Sequence, residues 1–297
     1  MRFTVGTRLE YQVAAPSTFI FNVQALGGLG QMVERETLEI SVESEVEHFE
    51  GDHGRARFIR CRVPAAQSLE IVYSAVVDAK TSTVAVTTVE PTPVARNPPE
   101  VLPYLLPSRY CESDRLGRLA WQSFGHHRRP YEQVSAICEW IHGNVAYVRG
   151  SSQATTSAAQ TLIERAGVCR DFAHLGIALC RALNLPARYA SGYACGLEPP
   201  DLHAWFEVAI GGRWVVFDAT RIAPLNGLVR VGLGRDAADV AIATIFGEAT
   251  LTRMHVQCEP VEGAAFQPWP LEPSREQAVV SAPAGDVAVP AASSDAG

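Results

Sequence analysis

Between Gly167 and Pro186 the sequence reads GVCRDFAHLGIALCRALNLP, and the spacing predicts a helix over residues 169–184. Phe172, Leu175, Ile177, Ala178, Leu179, Ala182 and Leu183 make that helix apolar nearly all round. A helix of this kind has to be buried, so the rest of the chain must supply walls for it. Asn184 and Pro186 are its stop signals. With 297 residues, 47% of them hydrophobic and 19% charged, the chain has material for a sizeable core. A domain usually takes roughly 100–200 residues, so one large or two modest domains are expected.

The periodicity of the chain changes along its length. Residues 38–46 alternate apolar and polar, as a half-buried strand does, and residues 57–63 and 69–77 read similarly. Gly51-Asp52-His53-Gly54 separates two of these runs as a turn. Gly27-Gly28-Leu29-Gly30 has no convincing helix after it and reads as a loop, not a phosphate cradle. These signals predict an antiparallel β-sandwich over residues 1–92. Prolines 91, 93, 98, 99, 103 and 107 disfavour helix and central strand, which makes residues 93–108 an interdomain linker. Helical spacing follows: Pro130 opens a run with Val134, Ile137, Cys138 and Ile141, and residues 157–165 suggest a second short helix. Strand patterns return over residues 188–259. The reading is α+β: a mixed core over residues 109–262 behind the sandwich, with a largely disordered Ala/Pro/Ser/Val tail over residues 263–297.

Composition excludes several functions. The chain has 25 Lys+Arg against 32 Asp+Glu, a net charge of −7. Nucleic-acid clamps and polybasic membrane binders need a positive surface, so neither partner is expected. No segment approaches ~18 consecutive apolar residues. The first basic residues are not followed by the apolar run of a secretory signal, so a cytoplasmic location is expected. The seven cysteines are odd in number and contain no C-x-x-C pair, which is neither a disulfide framework nor a zinc knuckle. Cys169, Cys195 and His203 would be three isolated zinc ligands without a tetrahedral set. No acidic loop of the calcium-binding kind is present. Neither metal nor cofactor is predicted, and with Lys80 the only lysine, amine nucleophiles are nearly absent.

Cys169 falls in the first turn of the buried helix, where unpaired N–H groups and the dipole favour a thiolate. A free thiol near pKa ~8.5 would be mostly protonated at neutral pH. The same N–H groups suit a developing oxyanion. Further on, Leu202–Ile210, Gly211-Gly212 and Arg213–Asp218 read as a hairpin. If Ile210 faces Arg213, Asp218 lies opposite Trp205, and His203 shares their face. His203 and Asp218 are then diagonal neighbours with backbones ~7–8 Å apart, within reach of an imidazole and a carboxylate. Each residue alone has an ordinary reading: an inert buried thiol, a satisfied strand histidine, a strand-end acid. Together they suit one mechanism, with Cys169 as nucleophile, His203 as base and Asp218 as orienter. Trp205 and Tyr193 are read as cleft-lining residues on the substrate side, although Trp205 also suits a plain core tryptophan. Arg170 and Asp171 read as a local ion pair or cap, and His174 points away from Cys169. Ser151 and Gln153 are weak choices for a second oxyanion donor.

Four stretches together, GVCRDFAH at 167–174, PARYASGY at 186–193, HAWFEV at 203–208 and WVVFDAT at 214–220, resemble the bacterial transglutaminase-like superfamily. The resemblance runs from about Leu105 to Asp239, and residues 1–90 are similar to the β-rich domain that often precedes this core. It implies a papain-like core with Cys169, His203 and Asp218 as its triad. Three departures stand out: Ala219 replaces the proline of the usual Asp-Pro-Thr, Leu228 stands where many relatives have a His, and Ala241–Phe246 replaces a proline-rich piece. These bear on substrate contacts, not on the triad. The resemblance implies a peptide or protein substrate bearing amide groups and a hydrolase working through a thioester. The alternatives are a transglutaminase, moving a glutamine acyl group to an amine, and a non-catalytic protein using the cleft to bind peptides.

Overall fold

The computed structural model describes residues 1–42, 45–51 and 55–281. Most of the turn expected at Gly51–Gly54, and the tail beyond residue 281, lie outside the described residues. β1 (Arg2–Val13) shows how the first half is built: Phe3, Val5, Leu9, Tyr11 and Val13 are buried, while Arg2, Arg8 and Gln12 face water. β1 lies between β6 (Gln67–Ala79) and β15 (Ala249–Pro260), and β3 (Gln31–Ile40) adds to the far side of β6. The facing sheet runs β14 (Ala243–Phe246), β2 (Ser17–Phe21), β5 (Arg57–Val63) and β4 (Val46–Glu50). Every pairing in the two sheets is antiparallel. Tyr11 meets Phe19 edge-on at 5.3 Å where the layers touch. The sandwich is as expected.

The second half is built on one antiparallel sheet. Its strands in spatial order are β13 (Leu228–Gly234), β10 (Ala187–Ala194), β11 (Leu202–Ile210), β12 (Arg213–Phe217), β16 (Gln277–Val280) and β7 (Ser82–Ala85). Helices α1 (Ser113–Phe124), α2 (Pro130–Asn144), α3 (Ala158–Glu164) and α4 (Cys169–Ala182) share a core with it. α1 has no counterpart in the sequence reading. α4 is the buried helix, and its glycine is required: a Cβ at Gly176 would stand 2.6 Å from the Phe206 ring. It ends in a Schellman motif. Asn184 takes φ 62°, its N–H donates to the Arg181 carbonyl at 2.9 Å, and the Leu185 N–H reaches Cys180 at 3.0 Å.

Three expected boundaries are corrected. β14 and β15, assigned to the core by sequence, complete the sandwich, while β7 from the first 92 residues joins the core sheet. Residues 93–108 are not a free linker: they form 3₁₀ turns that bury Val101 and Tyr104, and the Tyr104 ring meets Trp214 edge-on at 5.2 Å. The described part of the tail supplies β16, with Ala278 and Val280 buried. The physical reason is common to the strands. A sheet edge leaves N–H and C=O groups unpaired, and returning segments of chain satisfy them. No helix of the described residues is long and apolar enough to cross a membrane.

Candidate active site

Cys169 is the first residue of α4, so its N–H is among the four that a helix leaves without an intrahelical partner. The entry into the helix is held by Asp171, whose buried carboxylate accepts from the Val168 N–H at 2.8 Å and from the Ser152 hydroxyl at 2.9 Å. Asp171 is therefore the cap the sequence suggested. Arg170 donates to the Ser152 hydroxyl and to the Gln153 carbonyl, tying the loop before α3 to the start of α4. Of the seven cysteines, Cys169 and Cys258 are partly exposed and the other five are buried.

The hairpin register is the one derived by parity. Ile210 pairs with Arg213 and Phe206 with Phe217, across Gly211 and Gly212 with φ of 61° and 72°. Both turn residues need positive φ in the tight turn that matches strand twist, which glycine adopts without strain. Asp218 follows one step beyond Phe217. The Nε2 of His203 stands 2.8 Å from its Oδ2. The other carboxylate oxygen accepts from the Thr220 N–H at 2.8 Å and the Thr220 hydroxyl at 2.7 Å. Sequence reasoning did not give Thr220 this role, although a hydroxyl two residues after an aspartate is a recognisable local-turn signal.

Both partners are nearly enclosed, His203 at 2% exposure and Asp218 at 5%. Burial by itself disfavours the imidazolium. The Asp218 charge and hydrogen bond, joined by the neighbouring Cys169, outweigh it and push the His203 pKa up to about 10. Nδ1 of the ring makes no hydrogen bond of standard geometry, although the Cys169 side chain lies near enough to interact with the ring. The structure thus brings Cys169, His203 and Asp218 together.

Two expected contacts are corrected. Tyr193 is fully buried in the core of the sandwich, where its hydroxyl donates to the Val23 carbonyl at 2.7 Å and its ring stacks on Tyr73 at 6.5 Å. It anchors β10 to the first half and lines no cleft. Trp205 is likewise fully enclosed, stacked at 6.2 Å against the His203 ring, so it backs the imidazole and offers no surface to a substrate. His174, the histidine of α4, is buried with its Nε2 accepting from the Ala237 N–H at 3.1 Å, a structural role. No cluster of metal-ligating side chains occurs among the described residues.

Residues 118–219 match the family model described as the transglutaminase-like superfamily, and residues 1–98 match the bacterial transglutaminase N-terminal domain. A crystal structure from Cytophaga hutchinsonii, described as a candidate cysteine protease, is 46% identical with a TM-score of 0.91. The alignment covers 94% of this chain and 97% of that one. The chain belongs to the transglutaminase-like superfamily. Uncharacterized mycobacterial proteins are also similar. One from Mycobacterium leprae is 28% identical over 148 residues, 46% of this chain and 52% of the relative. One from Mycobacterium bovis is 31% identical over 189 residues, 57% of each. The chain therefore spans little more than half the length of these relatives. The three residues gathered at the start of α4 lie within the stretch matched by the transglutaminase-like core.

Proposed function

We propose that this chain is a cysteine-dependent amide or peptide hydrolase, with Cys169 as nucleophile, His203 as general base and acid, and Asp218 as orienter. The observation that carries the reading is the 2.8 Å contact between His203 Nε2 and Asp218 Oδ2 beside a cysteine at a helix start. The Cys169 thiol gives its proton to His203, its sulfur attacks the amide carbon, and the C=O π pair moves to oxygen. The tetrahedral intermediate collapses, the C–N bond breaks, and His203 delivers its proton to the leaving amine. A water molecule then attacks the thioester as His203 takes its proton, releasing the acid and restoring the thiol. Asp218 holds the ring in one tautomer and stabilises its positive charge. Thr220 in turn holds Asp218. Membership of the superfamily supports a peptide or protein substrate.

Iodoacetamide labelling of the native protein at neutral pH tests the reading. The expected result is a dominant adduct on Cys169, formed faster than on the also partly exposed Cys258 and absent from Cys169→Ala. Equal labelling of Cys169 and Cys258 would refute it. A glutamine-containing peptide, supplied with and without a primary amine, then separates the reactions. Acid product in both cases means hydrolysis, and incorporated amine means a transglutaminase.

A further inference from the structure

The attack just described creates an oxyanion, and the Cys169 N–H supplies one donor for it. Of the upstream residues considered from sequence, Ser151 is already engaged, its hydroxyl donating to the Val148 carbonyl at 2.7 Å. Gln153 is tied to the start of α4 through its backbone carbonyl, which accepts from Arg170 and cannot donate. Among the described residues the Trp205 indole N–H has no partner, but the residue is wholly enclosed and no substrate carbonyl reaches it.

A third group stands at the helix start. β8 (Ala146–Tyr147) runs parallel to β9 (Ala166–Gly167), with Tyr147 paired to Gly167 and the Val148 N–H donating to the Gly167 carbonyl at 2.9 Å. This short pairing sets Tyr147 beside Gly167, two positions before the nucleophile, although Tyr147 is far from it in sequence. Its ring leans on Phe172, in the first turn of α4, with centroids 5.8 Å apart. At 36% exposure the residue borders solvent, as a group that meets an incoming substrate must. Its phenol oxygen is close enough for the Cys169 N–H to interact with it, yet forms no hydrogen bond of standard geometry there. A long contact of this kind before substrate arrives is ordinary for catalytic donors. Burial first, then the nearby Cys169 and Asp201 charges, holds the phenol above its usual titration range, so it keeps its proton at neutral pH.

We propose that Tyr147 is a catalytic residue whose hydroxyl donates, with the Cys169 N–H, to the oxyanion formed on acylation. The inference rests on the thiol mechanism proposed above. No proton changes hands: the S–C bond forms, the π pair settles on oxygen, and two donors converge on that oxygen.

The test compares wild type with Tyr147→Phe in two reactions of the same sulfur. Acylation by p-nitrophenyl acetate, read as the nitrophenolate burst, passes through a tetrahedral oxyanion. Alkylation by iodoacetamide does not. Loss of one oxyanion donor costs on the order of 10²-fold or more in rate, so the burst should slow by about that factor while alkylation is unchanged. An unchanged burst overturns the proposal and leaves the triad standing. Equal slowing of both reactions also overturns it, since Tyr147 would then only be positioning the nucleophile. Wild type that fails to alkylate at Cys169 defeats the underlying mechanism instead.

Discussion

Asp218 uses one carboxylate oxygen for His203 and the other for Thr220, so its place is over-determined before any substrate binds. Asp218→Asn would keep the shape but present the wrong group to the ring on at least part of the population. In comparable triads the loss is on the order of 10⁴-fold. We therefore expect the nitrophenolate burst of Asp218→Asn to fall by roughly 10³-fold or more with the fold intact by circular dichroism. A loss smaller than about tenfold would show that the acid has no part in orienting His203. The same residues illustrate what was legible at this scale. The helix-start position of Cys169 and the shared face of His203 and Asp218 were legible because helix position and strand parity are local properties. Tyr193 was misassigned because alternation gives the face of a strand and not what covers that face, which here is the sandwich.

At the scale of elements, two glycines mark where strands and helix approach too closely for a side chain. A Cβ at Gly192 would lie 1.9 Å from the Val229 carbonyl oxygen, at the irregularity where the β10–β13 register shifts. At Gly176 the obstacle is the Phe206 ring at 2.6 Å. A ring can shift and a paired backbone cannot. Overpacking costs about 1–3 kcal/mol, so Gly176→Ala should fall near the lower end and Gly192→Ala at or above the upper end. Urea unfolding midpoints measure both, and Phe206→Leu should recover much of the loss in Gly176→Ala. An equal loss in the two glycine variants would contradict this ordering. The sequence showed the hairpin and α4 but not α1.

For the whole molecule, two buried charge systems bound stability on opposite sides. Glu207 is fully enclosed between Arg188, at 2.6 Å, and Arg230, at 2.8 Å, joining β10, β11 and β13. Burial raises the carboxyl pKa, but the two guanidinium groups overcome this and hold it at about 2. Its folded value is depressed, so its contribution is complete above the unfolded value near ~4.3 and lost as pH falls toward 2. His203 has the opposite sign: its contribution is complete below ~6.5 and lost as pH rises toward 10. The urea midpoint should therefore be highest between about pH 4.5 and 6.5 so far as these groups decide it. His203→Gln should flatten the alkaline limb. Glu207→Gln should flatten the acid limb and cost about 3–5 kcal/mol, because two buried guanidinium groups lose their counter-charge. Alkaline and acid limbs unmoved by these changes would show that other groups set the profile.

The sequence by itself determined the α+β class, the sandwich, the buried helix and the hairpin register, and so where Cys169, His203 and Asp218 sit on those elements. All follow from periods of 3.6 and 2 and from the conformations that glycine, proline and asparagine permit, which are properties of neighbouring residues. Only the tertiary structure decided that β14 and β15 return to the sandwich, that β7 and β16 complete the core sheet, and that Tyr147 pairs with Gly167, two positions before Cys169. Those pairings join segments far apart in the chain. Which distant strand covers an open edge is settled by the packing of the whole molecule, and no local pattern records it.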